Sequence, residues 1–430
     1  MQRLRRATRI LFEQSSHQFR RNYSKSLSMR MPCLSVCLQL PLFAIASSAI
    51  LLARQDGICE ARDNKGDAQD VESEFSMEKS TIVLDAEESG VVASSSSVKM
   101  YSSAAYRANS PIEDRKIIKL YPNGDVFAGV FDGHGGWQVS NYLNTHLIDY
   151  VRQELGQNRQ TGDSTLDLQD SICGSLQRAF MRTDRDLAAR VRLAFELGFG
   201  AVGRCGSCAL LVYIHENLLS VANAGDIRCV LGSRKVNGGD SVLIAKALSN
   251  DHNAMSATEQ KKLVLEHPGE VDAYKCRHPQ SCYVKGVLQP TRAFGDFALK
   301  YSEFNGPPYV NGDRSAGRHI RSPYTPPYIS SKPEVTTHFL TKDDAFVIIG
   351  SDGLWDYTEN DEAVSIVQTI LIENKREHAA RALVENVLQK AARRYEISLS
   401  SILKLPPGSV RRRHHDDISV IVLFFDQESE

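Results

Sequence analysis

Four short apolar runs stand out along the chain: VFAGVF at 126–131, LLSVANA at 218–224, AFVIIG at 345–350 and ISVIVLFF at 418–425. Runs of this length, rich in Val, Ile and Phe, predict buried strands. Stretches with helical spacing alternate with them, at 137–157, 166–197, 258–266 and 361–395, the last broken near Asn374 or Lys375. Globular patterning of this kind begins at Tyr101.

The first hundred residues are patterned differently. Residues 1–31 are rich in Arg and Ser, and Glu13 is the only acid before Asp56. Leu4, Leu11 and Phe12 recur at roughly helical spacing. A basic, acid-poor, amphipathic leader predicts a mitochondrial transit peptide. No charge lies between Arg30 and Arg54, and LSVCLQLPLFAIASSAILLA at 34–53 is long enough to cross a bilayer, although Gln39 and Pro41 interrupt it. The hydrophobic segment 32–54 is either an inner-membrane anchor, the reading slightly preferred, or part of a longer cleaved leader. The two readings place the protein at the inner membrane or intermembrane space, or in the matrix. Residues 55–98 are polar and acidic without apolar periodicity and predict a flexible linker. That leaves a globular domain at 99–426 and a tail at 427–430.

With 430 residues, 42% of them hydrophobic, the chain is long enough for one large domain with appendages. The formal net charge of −1 excludes the basic surplus that a nucleic-acid footprint requires. Nine cysteines without a framework spacing predict a reducing compartment or thiols that only pack. Cys205 and Cys208 form a C-x-x-C, but Cys276 and Cys282 are spaced differently, so no zinc site is predicted.

Each apolar run borders an acid. Asp132 and Gly133 follow the first, Gly225 and Asp226 the second, Ser351, Asp352 and Gly353 the third; Asp416 and Asp417 precede the fourth. If the last strand is antiparallel to its neighbours, all four acids gather at one sheet edge. Carboxylates so placed repel one another unless a hard divalent cation neutralises them. A single Asp-Gly is an ordinary turn; four acids at strand ends are a stronger signal.

These residues carry a resemblance. SPIEDR at 110–115, FAGVFDGHGG at 127–136, GSCALL at 206–211, ANAGDIR at 222–228, LSNDHN at 248–253, GVLQPTRAFGD at 286–296, IIGSDGLWD at 348–356 and HDDISVIV at 415–422 resemble, in order, the motifs of the type 2C metal-dependent protein phosphatases. ANSPIEDR, LEHP at 265–268 and TPPYISSKPEV at 325–335 look like the mitochondrial pyruvate dehydrogenase phosphatase branch. The resemblance implies an α+β fold, a β-sandwich of two antiparallel sheets flanked by helices (α-β-β-α) with its metal site at one edge. It implies hydrolysis of phosphoserine and phosphothreonine by a dimetal-bridged hydroxide, on a mitochondrial protein such as pyruvate dehydrogenase. The cofactors the resemblance implies are two Mg2+ or Mn2+ ions per site, with room for a weaker third. An inactive binding module of the same fold, or a hydrolase of small phosphate esters, is the alternative; the retention of Asp132, Asp352 and Asp416 favours an active enzyme.

By the same resemblance Asp132 bridges two metals, assisted by the Gly133 carbonyl. Glu113 holds one cation, mainly through water; Asp352 and Asp416 hold the other, Asp416 being preferred to Asp417. Asp226 and Asp356 match the third site. His134 fits a proton donor to the leaving oxygen. Relatives carry a phosphate-binding arginine four residues before this glutamate. Asn109 stands there and, with Arg107 and Arg115, is a candidate for phosphate contact, the rest of which would fall to the metals. Arg292 is expected to brace its loop, and the run 411–415 (RRRHH) to be a solvated loop. The Pro-rich stretch 301–331 is long enough to influence substrate choice.

Overall fold

The computed structural model describes residues 82–92, 95–161, 168–237, 240–279, 281–306 and 319–425. The leader 1–31, the segment 32–54, the linker up to Thr81 and the tail 427–430 lie outside them. Among the described residues no helix is long and apolar enough to cross a membrane.

In chain order the elements are β1 (Ala86–Val91), β2 (Val98–Tyr106), β3 (Arg115–Leu120), β4 (Val126–His134), α1 (Gln138–Thr161), α2 (Leu168–Glu196), β5 (Gly206–His215), β6 (Leu218–Ala224), β7 (Arg228–Asn237), β8 (Asp240–Ala247), α3 (Ala257–Glu266), β9 (Tyr274–His278), β10 (Ser281–Val284), β11 (Phe294–Gly295), β12 (Glu334–Phe339), β13 (Asp344–Gly350), α4 (Asp352–Trp355), α5 (Asn360–Ile372), α6 (Ala379–Arg394), α7 (Leu399–Lys404) and β14 (Ile418–Phe425). One sheet runs β1-β2-β14-β13-β7-β8; the other runs β12-β6-β5-β4-β3, with β11 added against β5. All of these pairings are antiparallel.

The period-two alternation of β5 explains the layering. Cys208, Leu210, Val212 and Ile214 pack with Val347, Ile349, Ile421 and Leu423 of the other sheet. Ala209, Leu211 and Tyr213 pack instead with Leu143, Leu147, Leu176 and Phe180 of α1 and α2. On the far side, Ile348, Val420 and Val422 meet Leu383, Val387 and Leu388 of α6. Strands covered on both faces must be apolar throughout, which is why they read as continuous hydrophobic runs. The result is the expected α-β-β-α sandwich. The break near Asn374 is also present: Asn374 has φ +55° and separates α5 from α6.

Two expectations need correction. Residues 55–98 are not linker to their end, because β1 pairs with β2 from Ala86↔Ala105 to Val91↔Met100. Arg381 donates to both Glu87 oxygens and to the Ile82 carbonyl. The sequence AEESGV is exposed along almost its whole length, so backbone pairing rather than burial makes it a strand, and apolar periodicity has nothing to detect. Cys276 and Cys282 are not loosely packed thiols either: they face each other across β9 and β10 and form a disulfide. Cys173, Cys205, Cys208 and Cys229 are free.

Candidate active site

The topology gathers the acids. β4 ends at Asp132 and His134 in one sheet, and β13 ends just before Asp352 in the other. β14 is antiparallel to β13, with Gly350 opposite Val420, so the residues entering β14 meet those leaving β13. Gly225 and Asp226 form the crossing from β6 in one sheet to β7 in the other. All four acids therefore reach the same end of the sandwich.

Their electrostatics follow. Burial, and then the charges of Asp352, Asp114, Asp416 and Asp226, push the Asp132 carboxyl well above the usual range. Burial followed by Asp416, Asp226, Asp356 and Asp114 does the same to Asp352. Glu113 is raised by burial and by Asp417 and Asp416, against the pull of Arg412 and His134. Burial raises Asp226, helped by Asp251 and opposed by the hydrogen bond from the Cys208 thiol, 3.2 Å away. Burial, Asp226 and Asp416 bring Asp356 to about 6.

Three carboxylate oxygens, Glu113 Oε2, Asp114 Oδ2 and Asp132 Oδ2, are buried without a hydrogen-bond partner. Unpaired buried oxygens among like charges are the features a divalent cation corrects, so the residues present fit the expected metals. Among the described residues, no three Asp, Glu, His or Cys side chains already form a finished cage.

Raised carboxyls imply a definite pH response. A carboxyl whose pKa is higher in the folded chain favours folding while protonated, and that contribution is lost as pH rises through the folded value. For Asp356 it is complete below the ordinary carboxyl value and gone above about 6. Thermal unfolding should therefore show Mg2+ stabilising the protein more at pH 7 than at pH 5, two values chosen to bracket roughly that loss. A Mg2+ effect independent of pH would remove the carboxylate cluster as its site.

Gly133 permits the close approach of β4 to the loop carrying Glu113. A Cβ there would lie 2.4 Å from the Glu113 carbonyl oxygen and 2.9 Å from Ser140 Oγ. Asp417 does a different task from Asp416. It is buried and accepts backbone N–H groups from Ala108, Asn109 and Glu113 at 2.6, 2.8 and 2.7 Å, which fastens the 108–113 loop.

Sequence reasoning missed two acids. Asp114 is buried and raised well above its ordinary value, first by burial and then by Asp417 and Asp416. Its signal was only its place beside Glu113. Asp296 lies 2.6 Å from His134 Nε2. Gly206 is the register partner of both His134 and Gly295, so β4, β5 and β11 bring the pair together. Burial works against the His134 imidazolium, but the charge and hydrogen bond of Asp296 outweigh it and hold its pKa above the ordinary value.

The three residues considered for phosphate are otherwise engaged. Arg107 pairs with Asp85 at 2.9 Å. Arg115 donates to the carbonyls of Ile112 and Asp114 and to Asn141 Oδ1. Asn109 Nδ2 donates to Asp416 Oδ1 and Asp417 Oδ2. Arg292 reaches the Lys332 carbonyl, as a brace should.

The family model for protein phosphatase 2C matches residues 88–394. The chain belongs to the protein phosphatase 2C family. It is 35% identical to "Probable protein phosphatase 2C 64" of Arabidopsis thaliana, over 76% of this chain and 77% of that one. It is 33% identical to "Probable protein phosphatase 2C 72" of Oryza sativa subsp. japonica, over 76% and 79%. The crystal structure of serine-threonine phosphatase 2C from Toxoplasma gondii shares the fold, with TM-score 0.54 and 20% identity over 79% of this chain and all of that one. Protein phosphatase 2C enzymes depend in general on Mg2+ or Mn2+, in keeping with the carboxylate cluster.

Proposed function

We propose that this chain is a metal-dependent serine/threonine phosphatase acting on a phosphoprotein, with two divalent cations and a weaker third. The convergence of Asp132, Asp226, Asp352 and Asp416 from both sheets on one end of the sandwich carries this reading. Asp132, the Gly133 carbonyl and Glu113, with Asp114 behind them, would hold one cation; Asp132, Asp352 and Asp416 would hold the second. Asp226 and Asp356 would hold the third. Bound cations supply charge for the phosphoryl oxygens and water ionised near neutral pH.

The chain's own residues do the rest. Asp296 fixes His134 through Nε2, which leaves Nδ1 to protonate the departing Ser or Thr oxygen. Hydrolysis of a phosphate monoester is among the slowest reactions in water, so a rate enhancement of this class requires roughly 20 kcal/mol. Proton donation supplies the part that depends on the leaving group.

The test is Mg2+- or Mn2+-dependent release of phosphate from a phosphothreonine peptide, lost on chelation. In that assay His134→Gln should lose about tenfold more activity on the peptide than on p-nitrophenyl phosphate, whose leaving group needs little protonation. Equal losses would remove His134 as the donor.

A mitochondrial phosphoprotein such as pyruvate dehydrogenase is the substrate we propose. The basic leader at 1–31 and the segments ANSPIEDR, LEHP and TPPYISSKPEV support it. Phosphorylated pyruvate dehydrogenase in the same assay tests the substrate. A fluorescent fusion of residues 1–54 that stays out of mitochondria would overturn the location.

A further inference from the structure

A phosphate dianion approaching a wall of carboxylates needs a cation at the entrance as well as metals within. Arg107, Arg115 and Asn109 are engaged as described above. Arg228, near Asp356, is gripped by both Asp251 oxygens at 3.0 and 2.6 Å and donates to Asn360. Arg412 is different. Its side chain is 46% exposed and pairs with Asp416 Oδ2 at 3.3 Å, so its partner is one of the site's own carboxylates rather than an acid outside the cluster. Its charge is also felt at Glu113.

The expected solvated loop at 411–415 is in fact a mount for this side chain. Arg411 is buried, donating to the carbonyls of Leu405 and Arg107 at 2.9 Å each and lying over the Tyr106 ring. His415 is buried against the same ring. Gly408 donates to the Ala108 carbonyl, and the Arg412 N–H donates to Gly408. The loop is thereby fastened to the end of β2, and Arg412 stands over Asp416 and Glu113.

The geometry points to Arg412 as the residue that receives the substrate's phosphate at the mouth of the site, in place of a cation at position 109. The assignment rests on the phosphatase reading above. A cation bound by Asp416 would draw on the same negative charge that holds Arg412 and so loosen that ion pair. An arriving phosphate gives the planar guanidinium a replacement partner that it can grip with two N–H groups.

The test uses the full chain with Mn2+, a phosphothreonine peptide, and a fluorescent peptide carrying a non-hydrolysable phosphonate in place of the phosphate. Arg412→Ala should raise KM about tenfold or more and weaken phosphonate-peptide binding by a similar factor in fluorescence anisotropy. Arg412→Lys should recover only part of this, because a point charge does not reproduce the fork. Arg413→Ala, its exposed neighbour, removes the same charge and should leave both values unchanged. Mn2+ affinity by calorimetry should not weaken in Arg412→Ala, since a cation beside Asp416 has been removed. Unchanged KM and binding, equal effects at Arg413, or a loss explained by weaker Mn2+ binding would each overturn the inference while leaving the phosphatase reading intact. A wild-type chain that neither hydrolyses the phosphopeptide nor binds the phosphonate would overturn both.

Discussion

Asp132→Asn should reduce Mg2+- or Mn2+-dependent phosphate release at least about a hundredfold while leaving the fold intact. The amide keeps the size of the carboxyl but removes the charge that faces Asp352, Asp114, Asp416 and Asp226. Two opposite consequences should appear together. The metal-free variant should melt at a higher temperature than wild type, because a member of a mutually repelling cluster has been neutralised. The stabilisation gained on adding Mg2+ should shrink, because a ligand has been weakened. An activity loss through misfolding would lower the metal-free melting temperature instead, so the pair of measurements separates the causes. Equal phosphate release by the two proteins would end the metal-based mechanism.

Gly133→Ala should be the more damaging change to the protein as a whole. The added methyl would press on the Glu113 carbonyl at 2.4 Å, and that carbonyl cannot retreat cheaply. Ser140 Oγ donates to it from α1, and the Glu113 N–H is held by Asp417 at 2.7 Å. We expect a loss of about 1–3 kcal/mol in chemical denaturation, typical of overpacking at a buried contact. Activity should fall further than stability accounts for, because β4 and the Glu113 loop must separate and the two sides of the site move apart. A variant with wild-type stability and activity would show that the close approach of these strands is not needed.

Much of this was legible in the chain because local patterns carried it. The runs at 218–224 and 418–425 coincide with β6 and β14, since strands buried on both faces leave an uninterrupted apolar signature. Helices α1, α2, α3, α5 and α6 were visible by their spacing, and the break between the last two at Asn374. β1 was not, because an exposed strand is defined by its partner. The roles of Asp114, Asp296 and Arg412 were hidden for a related reason. Each depends on what lies opposite it, and neither spacing nor composition says that His134 and Asp296, 162 residues apart, share a hydrogen bond.

The sequence by itself determined the alternation of apolar strands and amphipathic helices, the acids at the strand ends and the family motifs, because periodicity and short motifs are local properties. Only the tertiary structure decided that Asp417 ties down a loop, that Arg107 and Arg115 are engaged, and that Arg412 pairs with Asp416. Those outcomes depend on pairing between the two sheets and on loops fastened across 300 residues of chain, as between Asp417 and the Ala108 and Asn109 N–H groups, whose separations are 309 and 308. Burial and charge compensation act through space, and they select among side chains that look equivalent along the polymer.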